Sequence, residues 1–285
     1  MERTNYHTHI TMCDGKSEPA EFVERAQELG FVSFGFSSHA PLPAPADWTL
    51  QDEDILPYCN KIIEIKEQYR GVIPIYLGME IDYIPNRMGP ASPKFEDLPL
   101  DYTIGSIHSF ELPEGDRYAG IDGPREEFET VLQAVFDGSM RALVTSYLDR
   151  MREMVRLHTP DIIGHFDLYK MRNRGSLFFE ETESWYQDAV LAALEEISRH
   201  GSILEVNTGG LARGKTDAFY PSEWILEESR RREIPVTISL DAHHVDHMDG
   251  YYSEAARTLE RAGYTELSLL QHGRWISQPI EPIPG

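Results

Sequence analysis

Residues 31–82 contain two apolar runs, FVSFGFSSH (31–39) and IPIYLGMEID (73–82), with YCNKIIEIKEQY (58–69) between them. The runs read as buried strands, and the intervening stretch has the apolar spacing of an amphipathic helix. Strand, helix and strand in succession are the unit of a parallel sheet. The unit recurs in both directions. Upstream, TNYHTHI precedes PAEFVERAQELG, where Pro19 suits a first helical turn and Gly30 a C-cap. Downstream come the strand YTIGSIHSF and the helical region EEFETVLQAVFDGSMRALVTSYLDRMREMVRLH, broken near Gly138. The strands DIIGHFDL, SILEVNT and PVTISLDAHH follow, separated by helices around WYQDAVLAALEEISRHG and SEWILEESRRR. Seven or eight such units in 285 residues predict an α/β fold closed into a barrel, one domain over 1–285. The Pro-rich stretches 41–47 and 85–99 read as long strand-to-helix loops at the active end of that barrel.

With 41% hydrophobic and 26% charged residues the chain has the composition of a soluble globular protein. A formal charge of −22 argues against nucleic acid or an anionic membrane as partner. Any phosphate site must then be built locally, from metals or a few arginines. Two cysteines, Cys13 and Cys59, cannot form a disulfide framework, so a reducing cytoplasm is the expected setting. The start, MERTNYHTHI, has no apolar signal region, and no stretch approaches the ~18 apolar residues of a membrane span.

The strand ends carry the chemistry. His7 and His9 on the first strand are spaced i, i+2 and so share a face. The next strands end at or near His39, Glu80, His108 and His165, and the seventh carries Asp241 and His243, again i, i+2. Asp14 follows the first strand closely. In a parallel barrel these ends converge on one rim. A single histidine there is ordinarily a satisfied core or rim residue, but nine such groups at one end of successive strands are not coincidence. Imidazole and carboxylate without thiolate is the ligand set of catalytic zinc, iron or manganese, and nine ligands exceed one ion, implying two or three. His158 and His200 end helices, where a cation meets the dipole favourably. His244, His247 and His272 are left out of the set, and Cys13 reads as a buried inert thiol.

An N-terminal HxH, a histidine after the second strand, a central Glu, two lone histidines and a late DxH resemble the PHP (polymerase and histidinol phosphatase) superfamily. The phrases SIHSF, IIGHFDL and EVNTGGL look most like its monofunctional histidinol-phosphate phosphatases. The resemblance implies a distorted (β/α)7 barrel with three divalent metal ions (Zn, Fe or Mn). It places His7, His9, Glu80 and Asp241 on the first metal, Glu80 (bridging), His108 and His165 on the second, and Asp14, His39 and His243 on the third. Many relatives have histidine where this chain has Asp14, an oxygen ligand that would shift metal preference there.

GGLARGKT (209–216) matches G-x-x-x-x-G-K-[ST], the phosphate loop of nucleotide hydrolases. That loop needs a helix starting at the Gly-Lys-Thr, whereas here DAFYPSEW follows and Pro221 puts the next first turn about five residues late. By resemblance, the phosphate cations would be Arg213 in this loop and Arg172 in YKMRNRG, with Lys170, Arg174 and Lys215 as neighbouring substitutes. Guanidinium forks suit a phosphate.

The resemblance implies a phosphatase hydrolysing L-histidinol phosphate to L-histidinol and phosphate in histidine biosynthesis, by a hydroxide held between metals. Glu80 would bridge the metals, and Asp14, His243 or a metal-bound water would protonate the leaving group. The alternatives are a PHP phosphoesterase acting on another small phosphate ester or a nucleotide, a metal-dependent amidohydrolase, and a P-loop nucleotide-binding protein.

Overall fold

The computed structural model describes residues 2–115 and 117–280; the outermost ends of the expected 1–285 domain lie outside the described residues. The chain runs β1 (Arg3–Asn5), α1 (Pro19–Glu28), β2 (Phe31–Phe36), α2 (Ile55–Gln68), β3 (Ile75–Asp82), α3 (Pro93–Glu96) and β4 (Tyr102–Ser106). A hairpin, β5 (Ser109–Glu111) and β6 (Tyr118–Gly120), leads to α4 (Arg125–Phe136), α5 (Met140–His158), β7 (Ile162–Ile163), α6 (Ser184–His200) and β8 (Ile203–Asn207). The one-turn α7 (Gly209–Ala212), α8 (Glu223–Arg231), β9 (Val236–Ser239), α9 (Tyr252–Arg261), β10 (Glu266–Gln271) and β11 (Arg274–Pro279) complete it.

Seven strands pair in parallel in the order β1-β2-β3-β4-β7-β8-β9. Just past the outer strands, Thr8 bridges Ala242: His9 N–H donates to Ala242 O at 2.9 Å and Ala242 N–H to His7 O at 3.2 Å. These bonds bring the sheet's two edges together into a nearly closed barrel. All eight residues of β3 are buried, as expected where helices cover one face and the barrel interior the other. The local stops follow the sequence: Pro19 opens α1, and Gly30 lies just past its end with φ +74°. Between α4 and α5, Asp137 and Gly138 both take positive φ, and Ser139 Oγ caps α5 by accepting from Ala142 N–H at 3.2 Å.

One end of the barrel is plugged. Tyr102 O–H donates to Phe36 O at 3.1 Å and to Tyr6 O. A Cβ on Gly35 or Gly78 would lie 2.4 Å or 2.2 Å from Tyr102, so glycine is required at both. The apolar run ELSLLQHGRW does not join the barrel. It forms the antiparallel hairpin β10–β11, with His272 at the turn, and covers this end: Leu270 N–H donates to Tyr6 Oη at 2.8 Å and Trp275 packs edge-on to Tyr6. Chemistry is thereby confined to the opposite end, where the strands terminate.

Candidate metal centre

Most of the chosen residues lie just beyond the ladders rather than in them. β1 stops at Asn5, β2 at Phe36, β4 at Ser106, β7 at Ile163 and β9 at Ser239, while Glu80 sits within β3 and pairs by a bridge with His39. The parallel topology brings all of these ends together. Glu80 Oε2 lies 3.0 Å from His7 Nε2, 3.4 Å from His9 Nε2 and 3.0 Å from His39 Nδ1. Its other oxygen, Oε1, lies 3.0 Å from His165 Nε2 and 3.5 Å from His108 Nε2, and accepts from Ser106 O–H at 2.6 Å. The two carboxylate oxygens thus face two different sets of imidazoles. Asp241 Oδ1 is 3.9 Å from His7 Nε2 and 3.5 Å from His9 Nε2. Toward the rim, His243 Nε2 is 3.0 Å from Asp14 Oδ2, and His39 Nε2 is 3.8 Å from Asp14 Oδ1.

The donor atoms suit metal ions. His7 Nε2, His9 Nε2, His39 Nδ1, Glu80 Oε2 and Asp14 Oδ1 are buried without a hydrogen-bond partner, although several are about 3 Å apart. Close but unaligned lone pairs are what ligands around a cation present. Three sets have their ligand atoms within 4.8 Å of one another: His9, Asp14, His39 and His243; His7, His9 and Asp241; and His39, Glu80 and His108. The last differs from the expected Glu80, His108 and His165 set, yet His165 Nε2 is also 3.0 Å from His108 Nε2.

Two carboxylates absent from the predicted set orient the imidazoles. His7 Nδ1 is 2.9 Å from Glu205 Oε2, and His108 Nδ1 is 2.6 Å from Asp82 Oδ1. A carboxylate on one ring nitrogen fixes the tautomer that leaves the other nitrogen free to ligate. Both were legible as signals: Glu205 is a lone carboxylate in the apolar ILEVN, and Asp82 is i+2 from Glu80 on the same face.

The charges are strongly coupled. Burial pulls His7 down, but Glu80, Glu205 and Asp241 outweigh it and hold its pKa well above the ordinary value. Burial and the neighbouring His39 and His243 push His9 well below. His108, despite burial, is lifted to about 10 by Asp82 and Glu80. Burial would raise Glu80, yet His7, His39 and His108 drive it well below the carboxylate range. Arg213, His7 and His243 do the same for buried Asp241.

Above the cluster lies a cavity of about 240 Å³ whose lining includes Asp14, His39, Glu80, His108, His165, Asp241 and His243, with His7 and His9 in the barrel beneath. Trp48, from the loop after β2, stands edge-on to His39 at 4.8 Å and forms part of the wall. The loop 85–99, expected at the active end, contributes no residue to this lining. A wider groove of about 740 Å³ lies over α5 among Arg141, Arg150, Glu153 and Arg156, and none of the clustered ligands lines it.

The cations divide. Arg213 lines the cavity, its Nη2–H donating to Asp241 Oδ2 at 2.8 Å and its Nη1–H to Asp241 O. Arg172 is absent from the cavity lining: its Nε–H donates to Ile121 O at 2.7 Å and its Nη2–H to Gly123 O, so part of its guanidinium is engaged by carbonyls. Lys170 is likewise occupied, by Phe219 O and by Asp167 Oδ2 at 3.0 Å, and Arg174 is exposed. Lys215 does line the cavity. It lies outside any helix, its N–H donating to Gly210 O at 2.8 Å, so the Gly-Lys-Thr does not open a helix as a nucleotide loop requires. Pro221 precedes the N-cap Ser222 of α8 instead of occupying the helix's first turn.

The remaining histidines lie outside the cluster. His158 Nδ1 accepts from Ala91 N–H at 3.1 Å and burial lowers its pKa, so it braces the 85–99 loop as a neutral ring rather than meeting the helix dipole as a cation. His200 Nε2 pairs with Glu196 at 3.2 Å, and His244 Nδ1 accepts from Asp246 N–H at 3.2 Å. Burial pushes the Cys13 thiol up to about 11.

Comparison with known proteins agrees with this architecture. The PHP domain model matches residues 5–209. The chain is 27% identical over 278 residues to histidinol-phosphatase of Bacillus subtilis, covering 90% of this chain and 98% of that protein. The fold matches a Listeria monocytogenes chain with TM-score 0.77 at 22% identity, covering 88% of this chain and 99% of that one. It also matches histidinol phosphate phosphatase of Lactococcus lactis, crystallised with Zn, L-histidinol and phosphate, with TM-score 0.69 at 20% identity over 96% and 99% of the two chains. With the family model spanning well over half its length, the chain belongs to the PHP domain family.

Proposed function

We propose that this protein is a metal-dependent phosphomonoesterase that hydrolyses L-histidinol phosphate to L-histidinol and phosphate, using three divalent ions. The observation that carries the reading is the set of buried, unpartnered imidazole and carboxylate atoms converging beneath a closed-in cavity. The substrate follows from the names of the Bacillus subtilis and Lactococcus lactis relatives and from the ligands of the latter. A cavity of about 240 Å³ suits a compact ester better than a polymer end.

In this reading His7, His9, Glu80 and Asp241 hold one ion, Glu80, His108 and His165 a second, and Asp14, His39 and His243 a third. When bound, such ions supply Lewis-acid polarisation of the phosphoryl group and ionisation of water near neutral pH. Glu80 offers one oxygen to each of two neighbouring sets, and Glu205 and Asp82 hold His7 and His108 in the ligating tautomer. Arg213 binds phosphoryl oxygens while steadying Asp241. The free thiols of Cys13 and Cys59 suit the cytoplasm.

Metal analysis of the purified protein with a phosphate-release assay tests the reading. Two to three equivalents of zinc, iron or manganese are expected, with activity on histidinol phosphate lost on chelation and regained on reloading. Full turnover by protein stripped of metal would refute it. Micromolar ATP binding that depends on Lys215 would favour the nucleotide loop instead.

A further inference from the structure

We propose that Asp122 is a specificity residue that receives a cationic amine next to the ester, so that the cavity selects phosphomonoesters of amino alcohols over uncharged ones. The inference rests on the phosphomonoesterase reading of the cavity and names the substrate class it takes.

Asp122 lines the same cavity as Glu80, His108 and Asp241, yet belongs to none of the sets at metal-ligand distance. It accepts no hydrogen bond from the described residues, and its ion pair with Lys215 Nζ is long, at 3.9 Å, with both side chains partly open to solvent. A second carboxylate on this wall, Glu127, is already engaged, accepting Gly120 N–H at 2.8 Å. Outside the candidate ligand sets, Asp122 is therefore the wall carboxylate with neither oxygen hydrogen-bonded by the described residues.

Its backbone is held unusually firmly for a loop residue. Ile121 N–H donates to His108 O at 2.9 Å, tying the turn to a residue of the metal cluster. Arg172 bonds the carbonyls on either side of Asp122, those of Ile121 and Gly123, and stacks on Phe128. The arginine expected to hold phosphate thus positions a carboxylate.

An anion on the wall of a cavity for anions repels every phosphate ester. Lys215 and Arg213 offset that repulsion in part for any ester, and a substrate that brings a positive charge to Asp122 gains an attraction that the others lack. In an amino-alcohol phosphate the ammonium lies a two-carbon step from the ester oxygen, within reach of a wall group while the phosphate sits on the cluster below. A charged hydrogen bond to a carboxylate gives the discrimination that an apolar pocket cannot.

The test compares the metal-loaded parent with Asp122→Asn, on L-histidinol phosphate and on 4-nitrophenyl phosphate, which lacks the amine. The ratio of the two kcat/KM values should fall at least ~10-fold in the variant, the loss expected for one charged hydrogen bond. Equilibrium titration should show L-histidinol binding weakened by a similar ~10-fold, a readout independent of turnover. Arg172→Ala should move the substrate ratio in the same direction, which a merely structural role would not. An unchanged ratio in Asp122→Asn, with both esters affected equally or neither affected, overturns the assignment and leaves the phosphatase reading standing. A parent that releases phosphate from neither ester overturns that reading itself.

Discussion

Replacing Glu205 by glutamine preserves shape and removes one charge, and the hydrogen bonds around it fix the consequence. Glu205 is fully buried, with Oε2 2.9 Å from His7 Nδ1 and Oε1 accepting His165 N–H at 2.7 Å and Asn207 Nδ2–H at 2.8 Å. An amide has only one acceptor oxygen. If that oxygen stays on His165 and Asn207, the NH2 group opposes the Nδ1–H of His7. The ring must then move its proton to Nε2, the nitrogen that faces Glu80 and the candidate ions. If the amide flips, His7 keeps its acceptor but two buried N–H donors oppose the NH2 group. One orientation takes from His7 its ligating tautomer, and the other leaves donor against donor in a dry site, at a cost of ~1–3 kcal/mol. Loss of such an orienting carboxylate weakens metal binding or activity by ~10–100-fold. The check is competition for zinc against a chelator of known affinity, with kcat/KM measured on the fully loaded variant. Metal affinity and turnover both within ~2-fold of the parent, in a variant with parental stability, would refute the reasoning, since neither orientation of the amide is free of cost.

Arg213→Ala should lower kcat/KM by at least ~10-fold, while Lys215→Ala should do less; a nucleotide loop predicts the reverse order. For the metal-free protein the pH dependence comes from the signs of the shifts. Glu80 and Asp241 are depressed below their ordinary values of 4.5 and 3.8, so their contribution is present above those values and is lost on acidification. His7, His39 and His108 are raised above 6.5, so theirs is complete below 6.5 and is lost as pH rises through the folded values, about 10 for His108; His9, depressed, has the opposite sign. His9, His158 and His247, all lowered, change only below pH 6.5, so above it the three raised imidazoles decide: Tm of the chelated protein should decline between about pH 6.5 and 10, and a Tm that stays flat or rises over that range in thermal melts would contradict it.

The convergence of the rim residues was legible in the chain because its signals are local and the topology is simple. Residues such as His7, His9 and Glu80 needed only a strand period and the knowledge that parallel strands end on one rim. Glu205 and Asp82 carried a weaker local signal, a carboxylate in an apolar strand, and their partners could not be named: Glu205 meets a histidine 198 positions away. The place of Arg172 outside the cavity lining was not legible, for a different reason. Its neighbourhood is basic and close in sequence to a ligand, but its guanidinium lies against a turn whose position depends on how the β5–β6 hairpin folds back over the barrel.

By itself the sequence determined the alternation of strand and helix, the order and chemistry of the rim residues, and the absence of a helix at Gly-Lys-Thr, because each is written in a short period or a single backbone constraint. Only the tertiary structure decided which carboxylates orient which imidazoles, that β10–β11 plugs one end instead of extending the barrel, and that Asp122 rather than Arg172 faces the cavity. Strand ends inherit their positions from the barrel's hydrogen-bond ladders, which any sequence of this pattern must form. Loops over its mouth have no ladder, and their conformations are set by contacts between residues distant in the chain, such as Arg172 with Ile121 and Gly123.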